Sequence, residues 1–356
     1  MNNKQQTEHL KPTDSLGVYT RYAQQGASSR LRYYLYEEYL KKAFAELVFH
    51  PLFGKEYLEN LYSGNGKSGF LAVRALLKRL YGLLKLEKNL LIEYELCPLL
   101  PASLELALIS RRKYVLNFDD LVWKKYEKLP FLKNKYDTLI SHASGVIAAN
   151  RFLYDKISAL NSNVLFVPTV VDLTAYSPAP VREKKTLKAA WIGTPVTFQA
   201  CFLPFADTFR QLCSETGLEI LVIARKDIPC IPGVNMTCVD WSEKTEGALL
   251  NTCDIGIMPL CDDDFSRGKS AYKLIQYAAS GLPALASPVG ENRYFIRDGI
   301  NGFTPKTPAE WLGALRQLED NSRRTAMALE MQKQAWDYSL QKYGPIVVDF
   351  LKKSFS

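Results

Sequence analysis

Short apolar runs alternate with stretches of helical periodicity along nearly the whole chain, and this alternation leaves few folds open. Neighbouring parallel strands need a long crossover, usually a helix, so a strand–helix–strand rhythm predicts parallel sheets covered by helices. Ser15 to Thr20, Ala45 to Phe49, Leu90 to Glu93, Tyr114 to Phe118, Gly145 to Ala149 and Val164 to Val167 are expected as strands of a first sheet. Leu187 to Ile192, Leu218 to Ala224, Val234 to Val239, Cys253 to Met258 and Pro283 to Ser287 are expected in a second. Helices are expected over Phe198 to Thr216, Lys269 to Ser280, Ala309 to Leu318 and Pro345 to Ser356. Between the two series the chain turns polar, through Tyr176-Ser-Pro178-Ala-Pro180 and Arg182-Glu-Lys-Lys185, which marks a linker. At 356 residues two domains are the expectation. The fold class is α/β: doubly wound parallel-sheet domains at 1–178 and 179–340, with a terminal helix over 341–356 crossing back to the first.

An apolar share of 47% with 12% aromatics excludes disorder, and no apolar run is long enough to span a bilayer. Met1 to Asp14 are polar where an apolar h-region would stand, so no signal peptide is expected. The seven cysteines are scattered and never spaced as a metal pair, which fits reduced thiols in a cytosolic protein. With three histidines, no metal site is expected. The net charge of +8 favours anionic partners. Over 67–88, apolar residues recur at helical spacing with Arg74, Lys78, Arg79 and Lys85 between them. Such a helix is either an ordinary domain helix with a solvated basic side or a dock for an anionic membrane surface. Nucleic acid is not expected, because the cations are interleaved with core-type leucines rather than with aromatics displayed on a sheet.

Doubly wound sheets bind ligands in the loops beyond the carboxyl ends of their strands. One segment there concentrates the chemistry of anion binding: Phe265-Ser-Arg267-Gly268-Lys269-Ser-Ala-Tyr-Lys273, running on through Gln276 to Gly281 and then Ser287-Pro-Val-Gly290-Glu291-Asn292. Two helix N-termini and three cations would surround a phosphate-sized space. Lys269, Lys273 and Gln276 share a helix face at this spacing. Gly193-Thr194 and Arg225-Lys226 end earlier strands of the same domain, and Trp241 follows the strand Val234 to Val239; these are added to the donor side. Gly193-Thr194 is equally a plain turn, Arg225-Lys226 equally a solvated pair, and Glu291 or Asn292 equally a helix cap. In the first domain Gly26, Ser29 and Arg30 follow the first strand, with Ser28 or Ser29 also serving as an N-cap. Asp119-Asp120 ends a buried strand, where paired carboxylates could divide a proton between them, or cap and bridge to Lys124 or Lys125. Asp262-Asp263-Asp264 reads as a solvated acidic loop.

The donor segment resembles that of family-four glycosyltransferases, retaining sugar transferases built of two Rossmann-like domains facing across a cleft. Tyr114-Val-Leu-Asn-Phe-Asp119-Asp120-Leu-Val-Trp123, Ala148-Ala-Asn150-Arg-Phe-Leu, Val167-Pro-Thr169-Val-Val-Asp172-Leu, Trp191-Ile-Gly193-Thr and Asp254-Ile-Gly-Ile-Met-Pro259-Leu extend the resemblance over most of the chain, towards a bacterial surface-polysaccharide branch. It implies a nucleotide-sugar donor on the second domain and a saccharide or lipid-linked acceptor on the first. It also implies no metal or cofactor, and catalysis by Asp120, Arg267 and Lys269. Arg225, Lys273 and Gln276 would assist at the donor, and Asp119, Gly26, Ser29 and Arg30 at the acceptor. Lipopolysaccharide or capsule assembly, in the cytoplasm or on the inner membrane's cytoplasmic face, is the implied setting. Two glutamates bracket the donor helix in the family; here Gly268 and Gln276 stand in their places. A transferase-like scaffold without catalysis and a nucleotide-sugar epimerase of the same fold are the competing readings.

Overall fold

Twelve strands form two six-stranded sheets in a computed structural model that describes residues 14–62, 69–110, 112–178, 180–181, 183, 185–224 and 228–356. In the first sheet β1 (Ser15–Tyr22), β2 (Glu46–Phe53), β3 (Asn89–Glu93), β4 (Lys113–Phe118), β5 (Gly145–Ala148) and β6 (Val164–Phe166) stand in the order β2-β1-β3-β4-β5-β6. Every pair is parallel. Its middle strands are buried on both faces, β3 at all five positions, which is why they read as continuous apolar runs rather than alternating ones. The order reverses between β1 and β3, so their carboxyl ends flank the first sheet's switch point.

The second sheet comprises β7 (Lys188–Ile192), β8 (Glu219–Ala224), β9 (Met236–Asp240), β10 (Ile255–Met258), β11 (Ala284–Ala286) and β12 (Gly302–Phe303). Its order is β12-β11-β10-β7-β8-β9, again all parallel, with the switch point between β7 and β10. One face is closed by Trp191, Phe198, Phe202, Phe209 and Trp311, whose rings meet edge-on or stacked. The other face takes Leu274, Ile275, Tyr277 and Ala278 from the helix Tyr272–Ala279.

The strand assignments hold at all eleven expected places, and β12 is an addition. Three helices differ from expectation. The run from Phe198 to Thr216 is a π-turn over Phe198–Phe202, a 3-10 turn over Leu203–Phe205 and an α-helix over Ala206–Thr216, because Pro204 interrupts the backbone ladder. The helix expected from Lys269 to Ser280 starts at Tyr272 instead, since Ala271 takes a left-handed φ of 52°. The last helix begins earlier, at Leu340, and carries Pro345 inside it.

The chain divides into two compact units, Met1–Pro168 with Tyr343–Ser356, and Thr169–Lys342. Within the first unit Phe355 packs edge-on against Phe44, and the Asn163 amide donates to Ser354 Oγ at 3.0 Å. In the second unit Val171 bridges Ser339, and the buried Tyr176 hydroxyl donates to Glu246 Oε1 at 2.6 Å. No helix among the described residues is long and apolar enough to cross a membrane.

Candidate functional site

At the switch point of the first sheet, the carboxylate of Glu93 closes β3 and is buried. Its Oε2 accepts from Ser29 Oγ at 2.6 Å and from the Arg21 amide at 2.7 Å, while Oε1 lies 3.2 Å from Ser28 Oγ. Ser28 Oγ is also 2.7 Å from Asp119 Oδ2, and the Tyr94 hydroxyl donates to Asp119 Oδ1. A hydroxyl has one hydrogen to give. Ser28 touches two carboxylates, so its second contact is best satisfied when one of them carries a proton. Burial, then repulsion from Asp119, pushes Glu93 up to about 7 and marks it as the holder of that proton. Glu93, Ser28 and Asp119 thus form a hydrogen-bonded line from a buried carboxyl to a half-exposed one, able to take up or release a proton near neutral pH.

The loop after β3 is held from below. Glu95 accepts from Lys125 and Lys135, each at 2.5 Å, and from the hydroxyls of Tyr126 and Tyr136. Glu105 accepts from the Leu96 amide at 2.6 Å, and the Leu99 amide donates to Tyr126 at 2.9 Å. These bonds hold Tyr94 and Leu99 at φ values of 62° and 67°. With Ala271, they are the non-glycine residues of positive φ among those described, and all three stand in loops at the switch-point ends of the sheets. Backbone held against its preference, at about 1–3 kcal/mol per residue, is what pre-organised sites show.

In the second sheet the neighbourhood of β7 is cationic. Lys273, in the first turn of the helix Tyr272–Ala279, sets Nζ over the Trp191 ring, 5.5 Å from its centroid. Burial, and then repulsion from Lys269, pushes this amine down to about 8. It has no carboxylate partner among the described residues. No side chain caps the helix ahead of it. Gly290 has φ of 54°, and a Cβ there would lie 2.7 Å from the Arg267 carbonyl oxygen, so the 287–292 loop rests directly on the Arg267 backbone. That contact tolerates glycine alone. Ser287 Oγ accepts from the Leu260 amide at 2.9 Å, and the buried Asn292 amide donates to the Ser287 carbonyl at 3.0 Å, fixing the same loop to the end of β10.

The residues anticipated from sequence fall into clear groups. Gly193 and Thr194 spend their amides internally, on the Ile223 carbonyl at 3.1 Å and on Thr197 Oγ1 at 2.9 Å, and Thr194 with Thr197 makes a capping box. Arg267 is exposed and donates to Asp262 at 2.8 Å; Lys269 is half-buried, its amide on the Ser266 carbonyl at 3.2 Å. Glu291 occupies an N-cap position without making the side-chain bond. Trp241 and Gln276 are brought together through a residue that sequence reading missed. The buried Glu246 accepts from Trp241 Nε1 at 2.6 Å and from the Tyr176 hydroxyl, which Gln276 also hydrogen-bonds. Gly26 precedes the helix Ala27–Arg32, Ser29 reaches Glu93, and Arg30 is half-buried in that helix. Asp119 and Asp120 do not act as a pair: both lie in the bend beyond β4, where Asp119 turns in to Ser28 while Asp120 is exposed with Oδ1 on the Leu121 amide. The carboxylate facing Asp119 is Glu93 instead. Arg225, with Lys226, and residues 67–68 lie outside the described residues.

No family model matches the chain, and no curated protein does. Solved structures match it at low identity. HepE of Anabaena, in complex with UDP, gives a TM-score of 0.66 at 13% identity over 96% of this chain and 100% of that one. A glycosyltransferase from Rickettsia africae gives 0.66 at 13% identity, over 96% and 98%. TarM of S. aureus, in complex with fondaparinux, alpha-GlcNAc-glycerol and UDP, gives 0.56 at 13% identity over 78% of this chain, which spans 59% of TarM's length. The chain therefore has the fold of the two-domain glycosyltransferases, a pair of doubly wound parallel sheets.

Proposed function

We propose that this protein transfers a sugar from a nucleoside-diphosphate sugar to a saccharide or lipid-linked acceptor. The observation that carries the proposal is Lys273: a half-buried cation at the switch point of the second sheet, set over the Trp191 ring, repelled by Lys269 and met by no carboxylate among the described residues. Such a charge is stabilised by an arriving anion, and a diphosphate supplies one. Lys273 and Lys269, with Arg267 released from its exposed and weak pair with Asp262, would hold the leaving diphosphate. The Trp241–Glu246–Gln276 group would receive the nucleoside, with the Glu246 carboxylate standing close to where the family places its second glutamate.

On the first unit, Asp119 and Glu93 would receive the acceptor hydroxyl. HepE and TarM were both solved with UDP, which makes UDP the nucleotide to test first. Retention of configuration, independence from metal, a cytoplasmic setting and a role in surface-polysaccharide or lipopolysaccharide assembly belong to this proposal through the resemblance. A binding scaffold without transfer is the second reading, supported by Gly268 and Gln276 where the family has acids.

Calorimetric titration of UDP tests the site. Lys273→Ala should weaken binding at least about tenfold, the loss of one charge-assisted contact. Affinity should also fall as pH rises through about 8, where Lys273 gives up its proton, and this slope should vanish in the variant. Equal affinities for wild type and variant, with equal pH dependence, would remove Lys273 from the site. Release of UDP from UDP-glucose on addition of a saccharide acceptor separates the transferase from the scaffold.

A further inference from the structure

The helix Gly69–Gly82 turns two unlike faces outward and anchors the third. Arg79 is buried beneath it, donating to the Thr20 carbonyl at 3.0 Å and the His50 carbonyl at 2.7 Å, with its guanidinium over the Tyr19 ring. Leu83, just beyond the helix, is buried as well. This fixes which side of the helix faces the first unit. On the outer side stand Phe70 at 77% exposure, Leu77 at 63% and Tyr81 at 78%, joined by Val73, Leu80 and, in the following turn, Leu84. At the helical angle of about 100° per residue, the five on the helix fall within an arc of about 100°. Single exposed apolar side chains are ordinary; a continuous stripe of six is not.

The flank of that stripe is cationic. Arg74 and Lys78 occupy the adjoining strip of the helix and Lys85 extends it, all three exposed, and the helix has no acidic residue. Apolar stripe and basic border together describe the surface of a helix that lies in the plane of a bilayer, its apolar side at the acyl boundary and its cations on head-group phosphates. We propose that this helix docks the protein onto an anionic lipid surface. A second copy of the chain fits the same face poorly, since a two-fold contact would bring Arg74 and Lys78 towards their own counterparts, like charge against like. The proposal stands apart from the transferase reading, because it concerns a different face and needs no nucleotide.

The test is flotation of the full chain with vesicles of phosphatidylcholine containing about a third phosphatidylglycerol, against vesicles of phosphatidylcholine alone. The wild type should float with the anionic vesicles at least about tenfold more than with the neutral ones, and added salt should release it. Leu77→Glu combined with Tyr81→Glu should abolish flotation, and Arg74→Ala combined with Lys78→Ala should reduce it several-fold. All four positions are exposed, so the fold should persist, which circular dichroism and UDP titration check. Equal flotation of wild type and Leu77→Glu/Tyr81→Glu, or no flotation of the wild type, overturns the proposal. So does light scattering that shows a wild-type dimer made monomeric by Leu77→Glu without any vesicle binding.

Discussion

Glu93 carries more of the first unit's chemistry than its place in the sequence indicates. As the last residue of an apolar run it reads as the end of a strand; its partners Ser29 and Asp119 come from distant stretches, Ser29 from 64 residues away. No local pattern encodes such a meeting, whereas Ser29 and Asp119 themselves were legible because each follows a strand of a doubly wound sheet. The raised carboxyl has a measurable consequence. Between its ordinary value of 4.5 and about 7, the folded chain keeps a proton that the unfolded chain has lost, so stability falls as pH rises across that window and levels off on either side. The full effect is about 3 kcal/mol, a magnitude set by burial. Glu93→Gln keeps an oxygen for Ser29 and removes the titration. Urea unfolding from pH 4.5 to 7.5 should then show a smaller decline in the variant than in the wild type, and parallel curves would place the proton elsewhere.

Among the elements, the central strands were readable because parallel strands buried on both faces are apolar nearly throughout, and they needed no long-range information. What escaped reading was what the backbone does at their ends. β12 has two residues, too few to form a pattern, and Ala271 enters a left-handed turn that nothing about alanine announces. That turn moves the helix's start past Lys269 and leaves Lys273 in its first turn. The 287–292 loop shows the same dependence on backbone at Gly290, where the sequence marked a glycine and the structure supplies the reason for it. Gly290→Ala should cost about 1–3 kcal/mol, because the new Cβ meets the Arg267 carbonyl and φ is positive. The two loops must then part, and UDP affinity should drop along with the melting temperature. A variant that melts lower yet binds UDP as tightly as the wild type would separate this loop from the donor site.

For the whole molecule, length and rhythm lead to paired sheets and to the expectation of a terminal helix crossing back to the first, while the contacts that the tail makes are ones that no residue type announces. Residues 343–356 pack within the first unit, where Phe355 meets Phe44, Ser354 accepts from Asn163, and Gly344 lies so close to the Tyr39 ring that a Cβ would fall 2.7 Å from it. Gly145, opening β5, has Phe350 and Ser354 equally near. Deleting 343–356 therefore uncovers the Phe44 and β5 side of that unit, and losing a single buried aromatic costs about 3–5 kcal/mol. The second unit has its own core and keeps Lys273, Trp191 and Glu246 together without the tail. Calorimetry of the truncated chain should show the first unit's transition lowered or lost, while UDP at about a hundred times its dissociation constant still stabilises the remaining transition by about 2.7 kcal/mol. If truncation instead abolishes UDP binding and leaves an intact first-unit transition, nucleotide recognition does not reside in Thr169–Lys342, and the assignment of the donor to that unit fails.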